Sequence, residues 1–268
     1  MKTTSTIIGC GYVGKAVAAL WVQNNLSVHA ITTRKENNDA LEDLGCVPFV
    51  IQDEDSLANA VADARVILVS VAPSQNRSYE ATYLHTAKAL LDVLSKQKNF
   101  PHIIFTSSAS VYGAYDNEIV TEDTPLLPEN PENQILAQTE SLLLDYPYTT
   151  ILRFGEIIGP GRELYLRLKK MQGPFPGDGL NICNFTNLSD AVRAIEFVRT
   201  NKFYGIYNVV CDEHPTRLAL YERLSEKMQL PLPRWDPTLM SRLGSKKIVS
   251  NNKLSQLQFA FSPPFGLD

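Results

Sequence analysis

Residues 5–20 read STIIGCGYVGKAVAAL, and this stretch decides the fold. A short β-branched run, Ser5–Ile8, leads straight into Gly9, Gly11 and Gly14, and helical spacing follows from Gly14 to Asn24. In this GxGxxG spacing the first glycine permits a tight turn and the second lets a pyrophosphate approach the backbone. The third lets helix and strand pack closely, while the helix N-terminus faces the negative charge. The spacing alone is a weak signal. Set between a strand and a helix, at the start of a repeated pattern, it predicts dinucleotide binding by Gly9, Gly11, Tyr12, Val13 and Gly14.

Outward from the turn, the first half alternates two kinds of segment. Strands are expected at Ser5–Ile8, Ser27–Thr32, Val47–Ile51, Val66–Val71, His102–Thr106 and Thr149–Arg153. Helices are expected at Gly14–Asn24, Asp39–Leu44, Ser56–Ala62, Tyr79–Gln97 and Glu132–Leu144. Strands apolar on both faces, such as VILVSV and IIFTS, belong in a parallel sheet covered on both sides. The expectation is an α/β protein. Residues 1–153 form a Rossmann doubly wound parallel sheet with helices on both faces. Residues 154–268 form a small C-terminal α/β substrate lobe, partly interleaved with the sheet, in which short strands near Asn181–Phe185 and Gly205–Val210 sit among Pro- and Gly-rich loops.

NAD-selective dinucleotide folds carry an acid about 20 residues beyond the glycines to hold the ribose 2′-hydroxyl. Here that region reads ITTRKEN, with Thr33, Arg34 and Lys35 in the acid's place. A guanidinium takes a 2′-phosphate through parallel charge-assisted hydrogen bonds, whereas a carboxylate repels it. NADP is therefore expected over NAD, with Thr33 and Arg34 as contacts; solvated side chains on an exposed turn are the other reading. Asp53, after the third strand, is placed to meet the adenine amino group or, equally, to cap the helix at Ser56–Ala62. Val71 and Ala72 after the fourth strand, Ser107 on the fifth and Phe154 after the sixth complete the candidate cofactor set.

Composition bounds the rest. The chain has 268 residues, 44% hydrophobic, with 25 Lys and Arg against 29 Asp and Glu. That balance gives no overall electrostatic footprint for nucleic acid. The apolar run before Gly9 is too short for a signal peptide, and nowhere does an apolar run reach the length of a membrane span. The four cysteines and four histidines are scattered without metal-ligand spacing. A cytoplasmic, reduced, metal-free protein without a membrane partner is expected.

Around residue 102 the chain reads HIIFTSSASVYGAYDNEIVTEDTPLLPENP, and later ILRFGEIIGPGR. SSASVYG (Ser107–Gly113), TEDTP (Thr121–Pro125) and LRFGEIIGP (Leu152–Pro160) match in order and spacing the extended short-chain dehydrogenase/reductase superfamily, in the branch of sugar-nucleotide epimerases and dehydratases. The later NFTNLSDAVRAI and GIYNVVCDE also resemble that branch, so the likeness covers nearly the whole chain. It implies that Ser108 holds the substrate oxygen during hydride transfer, with Tyr112 as a second candidate. Ser107 and Ser110 read otherwise as turn-bonding residues. It also implies a sugar-nucleotide or other carbonyl/hydroxyl substrate, and a homodimer through the helices at Tyr79–Gln97 and Glu132–Leu144.

The same likeness exposes a gap. The superfamily places a YxxxK pair on the helix after SVYG, where lysine and the nicotinamide lower the tyrosine's pKa from its usual value near 10. That segment reads ENPENQILAQTESLLL, and no Lys or Arg occurs between Lys98 and Arg153. In this the chain resembles the superfamily's atypical members. Tyr165 and Lys169 form a YxxxK outside the expected place, and read as an ordinary helix face. Two expectations follow. One is an NADP-dependent epimerase, dehydratase or reductase with weakened acid–base catalysis, its proton donor being Tyr112, Glu122 or Glu156. The other is a catalytically silent NADP(H)-binding sensor or interaction module. Arg162, Arg167 and Lys169, after the GP turn, would hold a substrate diphosphate or merely face solvent.

Overall fold

The β-branched runs become strands, largely buried except at Val47–Val50, and the segments with helical spacing become the helices between them. The computed structural model describes residues 3–32, 35–51, 53–73, 77–115, 117–170, 173–239 and 245–262. From the N-terminus the chain runs β1 (Thr4–Ile8), α1 (Tyr12–Gln23), β2 (Ser27–Thr32), α2 (Asn38–Glu42), β3 (Val47–Val50), α3 (Glu54–Val61) and β4 (Ala64–Val69). Then come α4 (Tyr79–Thr82), α5 (Leu84–Ser95), β5 (His102–Ser108), β6 (Ile119–Val120), α6 (Pro131–Leu144) and β7 (Thr149–Phe154). The remainder comprises β8 (Glu156–Ile158), α7 (Tyr165–Lys170), β9 (Phe175–Pro176), β10 (Phe185–Asn187), α8 (Leu188–Asn201) and β11 (Gly205–Val209). It ends with α9 (Arg217–Met228), β12 (Trp235–Asp236), β13 (Ile248–Val249) and α10 (Asn252–Gln256).

Seven strands make one sheet in the order β11-β7-β5-β4-β1-β2-β3. β1 pairs in parallel with β2 from Thr4↔Ser27 to Ile8↔Ile31, and on its other edge with β4. β2–β3 and β4–β5 are parallel as well. The chain therefore runs outward from β1 to β3, then returns to β4 on the opposite side of β1. Such a reversal opens a crevice at the carboxyl ends of the strands, where ligands of doubly wound sheets bind. Gly205–Val209, in the span read from sequence as a lobe partly interleaved with the sheet, is the seventh strand, beside β7. Its pairing partner lies some 50 residues away in sequence, and strand periodicity carries no information on partners.

Two compact units divide the chain. The one holding the sheet comprises residues 1–111, 128–153 and 192–207. Its core is built by Ile7, Leu68, Ile103, Ile104 and Phe105 on the strands, with Val17 and Trp21 of α1, all essentially without exposure. Trp21 donates its indole N–H to Glu196 Oε2 at 2.9 Å. The other unit comprises residues 112–127, 154–191 and 208–268. Its parallel two-stranded pairs are β8–β10, β9–β12 and β6–β13. Ile158, Leu164, Cys183, Phe185, Leu220 and Tyr221 form its core, with Phe175 stacked 4.9 Å from Tyr221. Among the described residues, no helix is long and apolar enough to cross a membrane. No group of three or more His, Cys, Asp or Glu there is placed to hold a metal.

Candidate active site

The glycine turn follows the fully buried end of β1. Gly9 takes φ +95°, and a Cβ there would lie 2.6 Å from Ser70 O and 2.8 Å from Val71 N, so the turn presses on the end of β4. A Cβ on Gly14 would lie 2.3 Å from Gly9 O, which fixes glycine where α1 closes on the turn. At Gly11 a Cβ would meet nothing within 4 Å, so this face of the turn is open. Gly11 is also the N-cap of α1, with no side-chain cap and no acid in the first turn. An open, glycine-lined helix N-terminus suits a pyrophosphate, whose charge meets the helix dipole. Burial, with the neighbouring Cys46, pushes the Cys10 thiol up to about 12 against a lesser effect of Lys15, so Cys10 stays neutral beside this cradle.

The remaining cofactor candidates separate. Tyr12 is half-buried, while the Val13 side chain lies in the core and offers only backbone. Val71 is half-buried and Ala72 exposed, just beyond β4 on the crevice side of the sheet. Asp53 is exposed and caps α3: its Oδ1 accepts from Ser56 N at 2.9 Å, and Ser56 Oγ accepts from Asp53 N at 3.1 Å. The Ser56 backbone bond, then its side chain, holds the Asp53 carboxyl below its ordinary range. Thr33 and Arg34, on which the 2′-phosphate reading rests, lie outside the described residues.

At the end of β5, Ser107 and Ser108 point to different tasks. Ser108, half-buried, accepts the N–H of Ser110 at 3.1 Å, leaving its own O–H to donate. Ser110 in turn donates to Asn133 Oδ1 at 2.8 Å, joining this turn to the first turn of α6. Ser107 donates inward to Glu140 Oε1. Glu140, in the middle of α6, is gripped by Arg153 of β7 through Nη2 at 2.7 Å and Nε at 3.2 Å. Both charged side chains are almost fully buried, at 2% and 3% exposure. Sequence reasoning missed this pair. Its signal was an acid on the same face as Leu136, Thr139 and Leu143, with an arginine inside the all-buried strand TTILRF.

In the other unit the family-like motifs converge on one buried amide. Tyr112, with no exposed surface, donates its hydroxyl to Asn208 Oδ1 at 2.8 Å. Asn208 N donates to Glu122 Oε1 at 2.7 Å, and Asn208 Nδ2 to Ser250 O at 2.9 Å. SVYG, TEDTP and IYNVV thus meet at Asn208. Glu156 accepts from Arg167 at Oε1 and from Arg217 at Oε2, the latter at 3.0 Å. Burial pushes the Glu156 carboxyl up, but Arg167 and then Arg217 outweigh it and hold the group below its ordinary value. Glu156 is therefore ionised near neutral pH. Lys169 sits over the Tyr165 ring, 5.0 Å from its centroid, in a cation–π contact. Phe154, which ends β7, is buried at 3% exposure.

The model of the NAD dependent epimerase/dehydratase family matches residues 6–209. The chain belongs to that family. Protein YeeZ of Escherichia coli (strain K12) is 27% identical over 268 residues, covering 96% of this chain and 95% of its own. A dTDP-glucose 4,6-dehydratase of Streptomyces griseus is 29% identical over 142 residues, or 48% of this chain and 43% of the dehydratase. Among solved structures, the dTDP-glucose 4,6-dehydratase from Bacillus anthracis str. Ames in complex with NAD has a TM-score of 0.82 at 17% identity, covering all of this chain and 94% of the other. The UDP-N-acetylglucosamine 4-epimerase from Methanobrevibacter ruminantium M1 in complex with UDP-N-acetylmuramic acid also reaches 0.82 at 17% identity, over 98% and 94% of the two chains. These likenesses establish the extended epimerase/dehydratase fold.

Proposed function

We propose that this family member binds NADP(H) at the glycine turn and acts on a sugar nucleotide at a hydroxyl or carbonyl carbon. The observation that carries the reading is the open Gly11 face at an uncapped helix N-terminus, at the switch point between β1 and β4. Arg34 and Thr33 are the candidates for the 2′-phosphate, and Val71, Ala72, Ser107, Asp53 and Phe154 complete the proposed cofactor set. The bound nicotinamide supplies the hydride acceptor or donor. Ser108 orients the substrate oxygen with the O–H that its bond from Ser110 leaves available.

Acid–base assistance is weak in this scheme. α6 contains neither Tyr nor Lys. Glu156 is ionised by its arginines, the Tyr112 hydroxyl is buried against Asn208, and Glu122 accepts from the Asn208 backbone. We assign Tyr112 the positioning of this buried network, and the proton to solvent. Positioned acid–base groups contribute about 10²–10⁴-fold, so their loss slows hydride transfer without forbidding it. We also place the protein in the cytoplasm, as a homodimer through α5 and α6.

A second reading, an NADP(H)-binding sensor without turnover, is favoured by the absence of both Tyr and Lys from α6. Stopped-flow absorbance of the reduced nicotinamide, across sugar nucleotides and small carbonyl compounds, separates the two. Oxidation or reduction with any of them, lost in Ser108→Ala, is expected; tight NADPH binding without turnover would leave only the sensor.

A further inference from the structure

Ser110 ties two side chains together at the carboxyl end of β5. Its backbone N–H is donated to Ser108 Oγ at 3.1 Å, and its hydroxyl to Asn133 Oδ1 at 2.8 Å. All three residues belong to the unit that holds the sheet. Asn133 is held from its other side too, since its backbone N–H is donated to Asn130 Oδ1 at 2.8 Å, the N-cap bond of α6. In the sheet, β5 lies two strands from β1, about 10 Å at ordinary strand spacing. This turn therefore borders the same crevice as the glycine turn.

Each of the two side chains keeps a donor in hand. A hydroxyl has one donor and two lone pairs, and an amide has two N–H donors and one acceptor oxygen. Ser110 bonds the oxygen of each. The Ser108 O–H and the Asn133 Nδ2 hydrogens are left without an acceptor among the described residues. Both side chains are half-buried, so neither donor is sealed in the core. The Ser110 bond also sets the face of the amide: with Oδ1 turned to Ser110, Nδ2 is the atom that remains to donate. Neither group ionises near neutral pH, so the pair offers hydrogen bonds and no proton.

We infer that Asn133 is a second donor to the reacting oxygen of the substrate, beside Ser108, and that the pair selects a carbonyl over a hydroxyl at that carbon. The inference rests on the proposed sugar-nucleotide function and deepens it. A carbonyl oxygen has lone pairs and no proton, so it takes one bond from each donor. A hydroxyl brings a further proton, which finds an acceptor at Ser108 only by leaving the Ser108 O–H unpaired. As hydride from the reduced nicotinamide adds to the carbonyl carbon, the π pair moves onto the oxygen. The two donors hold the charge that forms, and solvent supplies the proton.

The test is calorimetry on the full chain loaded with tetrahydro-NADP, which cannot exchange hydride. The probes are the UDP and dTDP forms of 4-keto-6-deoxyglucose, each against its counterpart with a hydroxyl at the same carbon. The keto form is expected to bind the wild type about tenfold more tightly than the hydroxyl form. In Asn133→Asp one oxygen still accepts from Ser110 and the other replaces Nδ2, and an acid suits the first turn of a helix. The preference is expected to invert there, with the keto form weakened by about tenfold or more. A merely structural role for Asn133 moves both ligands together and leaves their ratio alone. An unchanged ratio in Asn133→Asp, or a wild type that binds both forms equally, overturns the inference and leaves the sugar-nucleotide reading standing. If neither form of either nucleotide sugar binds the wild type, the sugar-nucleotide reading itself falls, and the inference with it. Should Asn133→Asp fail to fold, as thermal unfolding reports, Asn133→Ala decides, with the ratio expected to drop by about threefold or more.

Discussion

Glu140 and His102 carry the sharpest consequences of burial. Removing one partner of a buried ion pair leaves an uncompensated charge, so Glu140→Ala is expected to cost about 3–5 kcal/mol. Chemical denaturation measures it, and Glu140→Leu combined with Arg153→Met should recover part of the loss; equal loss in the double variant would contradict the charge argument. His102 is 7% exposed and bonds Thr150 Oγ1 through Nε2 at 2.7 Å. Thr150 in turn donates to Phe203 O, so Nε2 is the protonated nitrogen and Nδ1 is left bare and buried. Burial, and then the charge of Arg199, lowers His102 to about 4 from its ordinary 6.5. A depressed folded value means the imidazole stabilises the fold in full above about pH 6.5, and that this contribution is lost as pH falls toward 4. The wild type should lose on the order of 2–3 kcal/mol over that window beyond what His102→Gln loses. Parallel pH profiles for the two proteins would sink the assignment.

At the scale of elements, the strand–turn–helix at residues 4–23 offers two glycine substitutions that separate stability from binding. Gly14→Ala drives a Cβ to 2.3 Å from the Gly9 carbonyl oxygen, so α1 must shift. It should lower stability by about 1–3 kcal/mol and weaken NADPH binding together. Gly11→Ala meets no atom of the protein, so stability should fall by no more than about 1 kcal/mol at this N-cap, where alanine is a poorer cap than glycine. Its NADPH affinity should nonetheless fall, because the methyl occupies the open face. Thermal unfolding and nicotinamide fluorescence read the two effects; Gly11→Ala binding like wild type would place the pyrophosphate elsewhere. The helix expected over Tyr79–Gln97 is two, α4 and α5, broken at Tyr83. No glycine or proline marks that break. Tyr83 keeps right-handed helical torsions, at φ −98° and ψ −62°, with i→i−4 bonds from Tyr83 N to Tyr79 O and from Ala87 N to Tyr83 O, and its ring packs edge-on against Phe105, 6.1 Å between centroids.

On the scale of the whole molecule, cofactor choice is the property to test, because it depends on where the end of β2 meets the crevice. Arg34→Ala should weaken NADPH by about tenfold and leave NADH unchanged, as expected for losing a charge-assisted phosphate contact. Fluorescence titration of both dinucleotides checks it, and an equal effect on the two would remove Arg34 from the 2′-phosphate site. Much of this molecule was legible beforehand. Glycines at 9 and 14, between an apolar run and a helical one, sufficed for the strand–turn–helix, because a tight turn and close packing are local demands that only glycine meets. The alternation of both-face apolar strands with helices sufficed for the parallel sheet.

What the chain alone determined was therefore whatever follows from neighbours within a few residues: the turn, the strands, the helices, and the absence of Tyr and Lys from α6. The tertiary structure decided what depends on residues far apart in sequence. It brought Gly205–Val209 into the main sheet, joined Ser107 and Glu140 to Arg153, gathered Tyr112 and Glu122 on Asn208, and set two arginines on the single carboxylate of Glu156. Hydrophobic spacing specifies which face of an element is buried. Only the folded chain specifies which polar group waits on that face, and that pairing decides which carboxylates and hydroxyls remain available for chemistry.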